Sequence, residues 1–265
     1  MKGKSRQIAA IVRKDIRGIT GNKRMFTALL IVPLVLTVFL PTIFILAFRF
    51  APQDSAELEK LMSLLPTPSR QEGQLSTLIG LMLNYILPVF FLMIPVMASS
   101  IMAASSFVGE KEKRTLETLL YCPLSLKEIF RAKVAASFLL SMGVSLASFG
   151  LMLGVIEGEA LALSGSPVLP DVQWLLVMLL VSPALSLIAI TLIVRVSAKA
   201  QSVEDAQQGA VFLVLPLILL IAGQFTGILL LSSWLLLGIG AVCAVLAGLL
   251  LKRAVGNYRY ETLLK

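Results

Sequence analysis

Histidine is absent from this 265-residue chain, and only 14% of its residues are charged. The side chain most often used to move protons near neutral pH is therefore missing. Cysteine is scarce: Cys122 falls in a polar connection and Cys243 inside an apolar run. That separation argues against a structural disulfide or a thiolate metal cage, so no metal site is expected. No G-x-x-x-x-G-K-[ST] phosphate loop occurs, because Gly3-Lys4-Ser5 lacks the upstream glycine and any preceding strand. Asp, Glu, Lys and Arg are missing from six long stretches, which leaves no intramembrane carboxylate for general-base work. These absences exclude a soluble enzyme and make a membrane-embedded one hard to build.

What is present is hydrocarbon. Apolar residues make up 57% of the chain, and the mean hydropathy is +0.91. A bilayer core of about 30 Å needs roughly 20 helical residues to cross it. Six runs meet that requirement, at 25–48, 75–107, 134–156, 174–194, 210–231 and 234–251. The expected fold is an all-α integral membrane protein of six transmembrane helices forming a single domain. The first run is not read as a cleaved signal, since it is longer than a signal's apolar core, lacks a small-residue cleavage pattern and follows a basic segment.

Charge sets the expected orientation. Of the 23 basic residues, all but Arg49, Lys60 and Arg70 fall on one side of this six-span layout. Lysine and arginine accumulate on the cytoplasmic face, so both termini and the 109–133 connection are expected there, in a multi-pass plasma-membrane protein of a prokaryote. The net charge of +8 is read as contact with anionic membrane lipid. No aromatic-interleaved basic patch points to nucleic acid.

Two cytoplasmic elements carry more design than connectors need. In residues 5–20, Ile8, Val12, Ile16 and Ile19 share one helical edge while Arg6, Arg13 and Arg17 sit opposite, the pattern of a helix lying in the membrane interface. Its basic face can meet lipid phosphates or a partner protein. In GEKEKRTLETLLYCPLSLKEIFRAK, from Gly109 to Lys133, Glu110 with Arg114 and Lys113 with Glu117 are opposite charges spaced i, i+4. Leu116, Leu119 and Leu120 add a small apolar edge, and Pro123 disfavours helix at Cys122. Ser125 to Glu128 then reads as a capping box that starts the helix of the third span. A solvated charge run would show similar pairs; the leucine edge is what asks for something to pack on.

The stretch EKEKRTLETLLYCPLSLKEIFRAK resembles the characteristic segment of the ABC-2 type permeases, the membrane subunits of ATP-binding cassette exporters. Gln201-Ser-Val-Glu-Asp-Ala-Gln-Gln208 is similar to a segment of that family's sodium- and drug-exporting branch. The resemblance implies a half-transporter in which two six-span subunits, identical or related, face each other and each docks a cytoplasmic ATPase. Residues 109–122 would be the coupling helix received by that ATPase, with Glu110, Lys113, Arg114, Leu116, Glu117, Leu119 and Leu120 as its contacts. Residues 5–20 would be the interfacial connecting helix. ATP and magnesium would sit in the partner chain, and no cofactor would bind here. The external segment near 49–74 is short where sodium exporters often carry a large domain, which leaves the cargo open among ions, drugs, peptides and lipid-like molecules. Outside the resemblance, an ion-coupled secondary carrier or a scaffold subunit remains the alternative.

Candidate pathway residues lie on the second and fifth spans. Thr77, Asn84, Pro88, Pro95, Ser99 and Ser106 fall on one face of an ideal wheel. Such a face either lines the route between subunits or packs closely inside the bundle. Gln224 and Thr226 sit in Gly223-Gln-Phe-Thr-Gly227, read as an external gate or as interhelical hydrogen bonding. Trp174 and Trp234 begin spans and are read as interface anchors. Glu157, Glu159 and Asp171 are placed on an external loop.

Overall fold

The computed structural model describes residues 2–50, 79–112, 124–165, 167–197, 199–209, 211–225 and 233–257. Among them six helices are long and apolar enough to cross a membrane: Lys23–Ala47, Ile79–Glu112, Leu126–Leu163, Gln173–Ser197, Val203–Gly223 and Trp234–Gly256. They are called the first to sixth spans below. An amphipathic helix, Lys2–Thr20, precedes them, and no strand is present among the described residues.

Helix starts follow side-chain capping. Asn22 accepts from the Arg24 and Met25 amides at 3.1 and 3.5 Å and turns the chain from the amphipathic helix into the first span. The capping box at Ser125 is formed: the Glu128 amide donates to Ser125 Oγ at 3.4 Å, and the Ser125 amide donates to Glu128 Oε2 at 2.8 Å. This start lies well outside the apolar run, and at its other end the helix continues to Ser164, taking in Glu157 and Glu159 instead of leaving them on a loop. Thr42 of the first span donates to Glu159 Oε1 at 2.5 Å, tying those helices together. The helix ends at Gly165 with φ of 69°, a left-handed cap that glycine adopts without steric cost.

The second span is the centre of the bundle. Its most apolar window is 83% buried, against 12% for the fifth span and 17% for the sixth. The second span packs most extensively on the third and fourth, and the fourth packs on the sixth. Around one half lies a core of Ile79, Leu83, Phe91, Met152, Val168 and Trp174. Toward the other end, Phe107, Val108, Phe130, Ile190 and Val203 form a second cluster. Between the third and fourth spans the hydroxyls of Ser141 and Ser186 meet at 2.6 Å, both fully buried. That bond joins two helices where no water can substitute for it.

Among the described residues, three spans contain one wide turn of π-helix, at Val35–Phe39, Met82–Ile86 and Val177–Val181. Each ends two residues before a proline, namely Pro41, Pro88 and Pro183. The residue just before each proline (Leu40, Leu87, Ser182) donates to the carbonyl five positions back. The added width accommodates a ring that has no N–H and would otherwise crowd the preceding turn.

Candidate functional site

The amphipathic helix does not rely on lipid alone for its apolar edge. Ile11 and Ile19 are buried against the chain's own helices, Ile11 with Ile129 and Ala132 of the third span, and Ile19 with Leu29, Ala98 and Met102. Ile8, Val12 and Ile16 are half-buried beside them, while Arg6, Arg13 and Arg17 are exposed. The expected edge at the headgroup boundary is thus largely a helix-to-helix contact. In the middle of the buried face, one turn from both Ile11 and Ile19, stands Asp15, only 8% exposed.

Asp15 belongs to a cluster of charges drawn from three elements. Ser106 Oγ, on the second span, donates to Asp15 Oδ2 at 2.6 Å. Lys133, at the base of the third span and 2% exposed, reaches Glu110 Oε2 at 2.8 Å and Asp15 Oδ2 at 3.9 Å. The same ammonium donates to the Ser106 carbonyl, lies 3.4 Å from Ser106 Oγ, and sits 5.5 Å from the centre of the Phe107 ring. Lys14 donates to Glu110 Oε1 from the more open side and approaches Asp15 at 3.9 Å. Among the described residues two cations face two carboxylates, so these four charges sum to zero. Buried charges survive only when paired and hydrogen-bonded in this way, and removing one partner leaves an uncompensated ion.

Glu110 thus has partners distant in sequence, besides the expected i, i+4 pairing with Arg114, which lies outside the described residues. Glu110 lies in the last turns of the second span's helix, which continues to Glu112, and is 7% exposed. The cluster brackets the connection from 113 to 123, since Glu110 precedes it and Lys133 follows it. Lys113, Arg114, Leu116, Glu117, Leu119 and Leu120 lie outside the described residues, as do Thr77 and Thr226. Asp15 and Lys133 were not singled out from sequence. The available signal was an acid on the apolar edge of an otherwise basic helix, and a lysine where an apolar run begins.

The polar and proline face of the second span is closed within the chain. Pro88, Pro95, Ser99 and Ser106 are buried by neighbouring helices. Ser99 donates to the Val96 carbonyl at 3.1 Å, and half-buried Asn84 accepts the Asp171 amide at 2.8 Å. Trp174 is not at a lipid surface. It is 2% exposed, with its ring against Phe91 and Phe149 at centroid distances of 5.4 and 5.0 Å. Its indole N–H donates to the Leu83 carbonyl at 3.1 Å. That carbonyl is where the wide turn needs help, because Leu87 donates to Met82 and Pro88 has no N–H to give. Trp234, by contrast, is 83% exposed. Gln224 lies in the helix Val211–Phe225.

The architecture defines a multi-pass α-helical membrane protein in which a charged clamp joins an amphipathic helix to the ends of two spans. The family model described as "ABC-2 family transporter protein" matches residues 77–237, and the chain belongs to that family. It is thereby a permease component of an ABC transporter. Neither the curated proteins nor the solved structures contain a match.

Proposed function

We propose that this chain is the transmembrane subunit of an ATP-binding cassette exporter and that it works by alternating access, with ATP hydrolysed in a separate cytoplasmic ATPase. Family membership supports the transporter class, and the neutral charge cluster of Lys14, Asp15, Glu110 and Lys133 is the observation that carries the coupling role. It fixes both roots of the 113–123 connection to one another and to the amphipathic helix. A segment held so firmly at its roots can deliver a push to the bundle, whereas a loose one would absorb it. In this reading residues 113–120 contact the ATPase, both termini and the clamp face the cytoplasm, and a second permease copy completes the route. The closed face from Asn84 to Ser106 acts as a rigid post inside each copy. The cargo is an ion, drug, peptide or lipid-like molecule, and magnesium and ATP bind the partner.

Co-purification tests the partner: a tagged chain solubilised in mild detergent should bring down an ATPase of separate sequence. Replacing Leu116, Glu117 and Leu120 together should abolish that association while leaving membrane insertion intact. Undiminished association in the triple variant would overturn the assignment of this segment.

A further inference from the structure

We propose that the Lys133 ammonium is a linchpin that makes the amphipathic helix Lys2–Thr20 a moving part of the coupling apparatus, with Asp15 and Lys133 as its positioning residues. The inference rests on the coupling role assigned above. Four polar groups from two other elements converge on this one nitrogen: the Glu110 carboxylate at 2.8 Å, the Asp15 carboxylate at 3.9 Å, the Ser106 hydroxyl at 3.4 Å and the Ser106 carbonyl. The face of Phe107 closes a further side. This is the environment of a bound cation, with the cation tethered to the third span by its own side chain.

The geometry has a directional consequence. Ser106 and Glu110 are one helical turn apart on the second span, so they move together. Lys133 belongs to the third span, beyond the 113–123 connection. Asp15 is the only carboxylate that the amphipathic helix places in the cluster among the described residues. A displacement that carries the roots of the connection must therefore carry Asp15, and with it the helix, or leave the Asp15 carboxylate buried without Lys133 and Ser106 and strip Glu110 of Lys14. The exposed arginines Arg6, Arg13 and Arg17 ride on the opposite face of that helix. Their position then follows the state of the ATPase.

The tethered cation suggests its own test. Lys133→Ala deletes Cγ to Nζ, the atoms of propylammonium, so the full-length variant should accept that ion from solution. The first measurement needs no partner. In a chain with Cys122 and Cys243 replaced by alanine, Ile11→Cys, which is buried against the third span in the native chain, should react slowly with a polar maleimide. Adding Lys133→Ala should raise the labelling rate about tenfold or more. Propylammonium should restore protection, and tetramethylammonium, which cannot donate hydrogen bonds, should not. Asp15→Asn should weaken the rescue. Equal labelling with and without Lys133 would overturn the linchpin. If Lys133→Ala is not recovered as a folded chain, Lys133→Met keeps the stem, and the same rate comparison decides.

The second measurement uses the complex with its co-purified ATPase in liposomes. ATP with vanadate should change labelling at residue 11 in the native-clamp protein and not in the Lys133→Met protein. A clamp that is present, with labelling insensitive to nucleotide, would overturn the moving-part proposal alone. A chain that captures no ATPase would instead overturn the coupling role beneath it, leaving the labelling and rescue result to stand by itself.

Discussion

At the scale of single residues, the structure shows how a proline in a membrane helix is made tolerable. The wide turn before Pro88 leaves the Leu83 carbonyl without a helical donor, and the Trp174 indole supplies one from another span. Trp174→Phe keeps the ring contacts with Phe91 and Phe149 while deleting that donor. A buried carbonyl then goes unpaired, at a cost of about 1–3 kcal/mol. The expected result is a lower unfolding midpoint in detergent; an unchanged midpoint would show that the indole's hydrogen bond adds nothing. Ser125→Ala removes one half of a capping box and should cost about 1 kcal/mol, read in the same assay. Both effects concern positions whose sequence signals differ in kind. Ser125 and Glu128 are three residues apart and could be paired by eye. Trp174 and Leu83 are 91 positions apart, and a tryptophan at the start of an apolar run looks the same whether it faces lipid or the core.

At the scale of elements, the six spans follow from the length of apolar runs, because hydrocarbon enforces continuous helix whatever the neighbours are. Their ends follow less well. The third helix extends past its apolar run on both sides, since a capping box starts it early and glycine ends it late. The roles of faces were the least legible. Ile8, Val12, Ile16 and Ile19 mark the apolar edge, yet Ile11 and Asp15 are more deeply buried than Ile8, because the third span packs slightly to one side of the ideal stripe. Glu110 has an opposite charge at i+4 in sequence, and in the structure its carboxylate also pairs with Lys14 and Lys133, which no local spacing announces. Packing between elements can also be tested directly. A Cβ at Gly240 would lie 2.6 Å from Leu180 Cδ2 and 3.2 Å from Val181 Cγ2, so the fourth and sixth spans touch there through a missing side chain. Gly240→Ile should separate them and destabilise the bundle by about 1–3 kcal/mol. Faster proteolysis of the detergent-solubilised variant would confirm the effect, and native resistance would show that Leu180 moves aside freely.

At the scale of the whole molecule, the burial of the spans is unequal. The second span is enclosed by its own chain, while Val211, Phe212, Leu215 and Leu219 on the fifth, and Val242 and Val245 on the sixth, are more than half exposed. Such faces meet lipid or another membrane protein. If the proposed second copy is present, native mass spectrometry from mild detergent should show two permease chains bound to their ATPase partners. A stoichiometry of one permease chain would remove the paired arrangement while leaving family membership intact.

The contrast between the two indoles has a use beyond stability. Trp174 is enclosed among Phe91 and Phe149, and Trp234 is open at the edge of the sixth span. Brominated acyl chains quench indole emission at short range, so they should dim the red-shifted light from Trp234 and spare the blue-shifted light from Trp174. The unlabelled protein thus carries a pair of optical reporters, one for the bilayer boundary and one for the interior, that can be read separately as the transporter turns over.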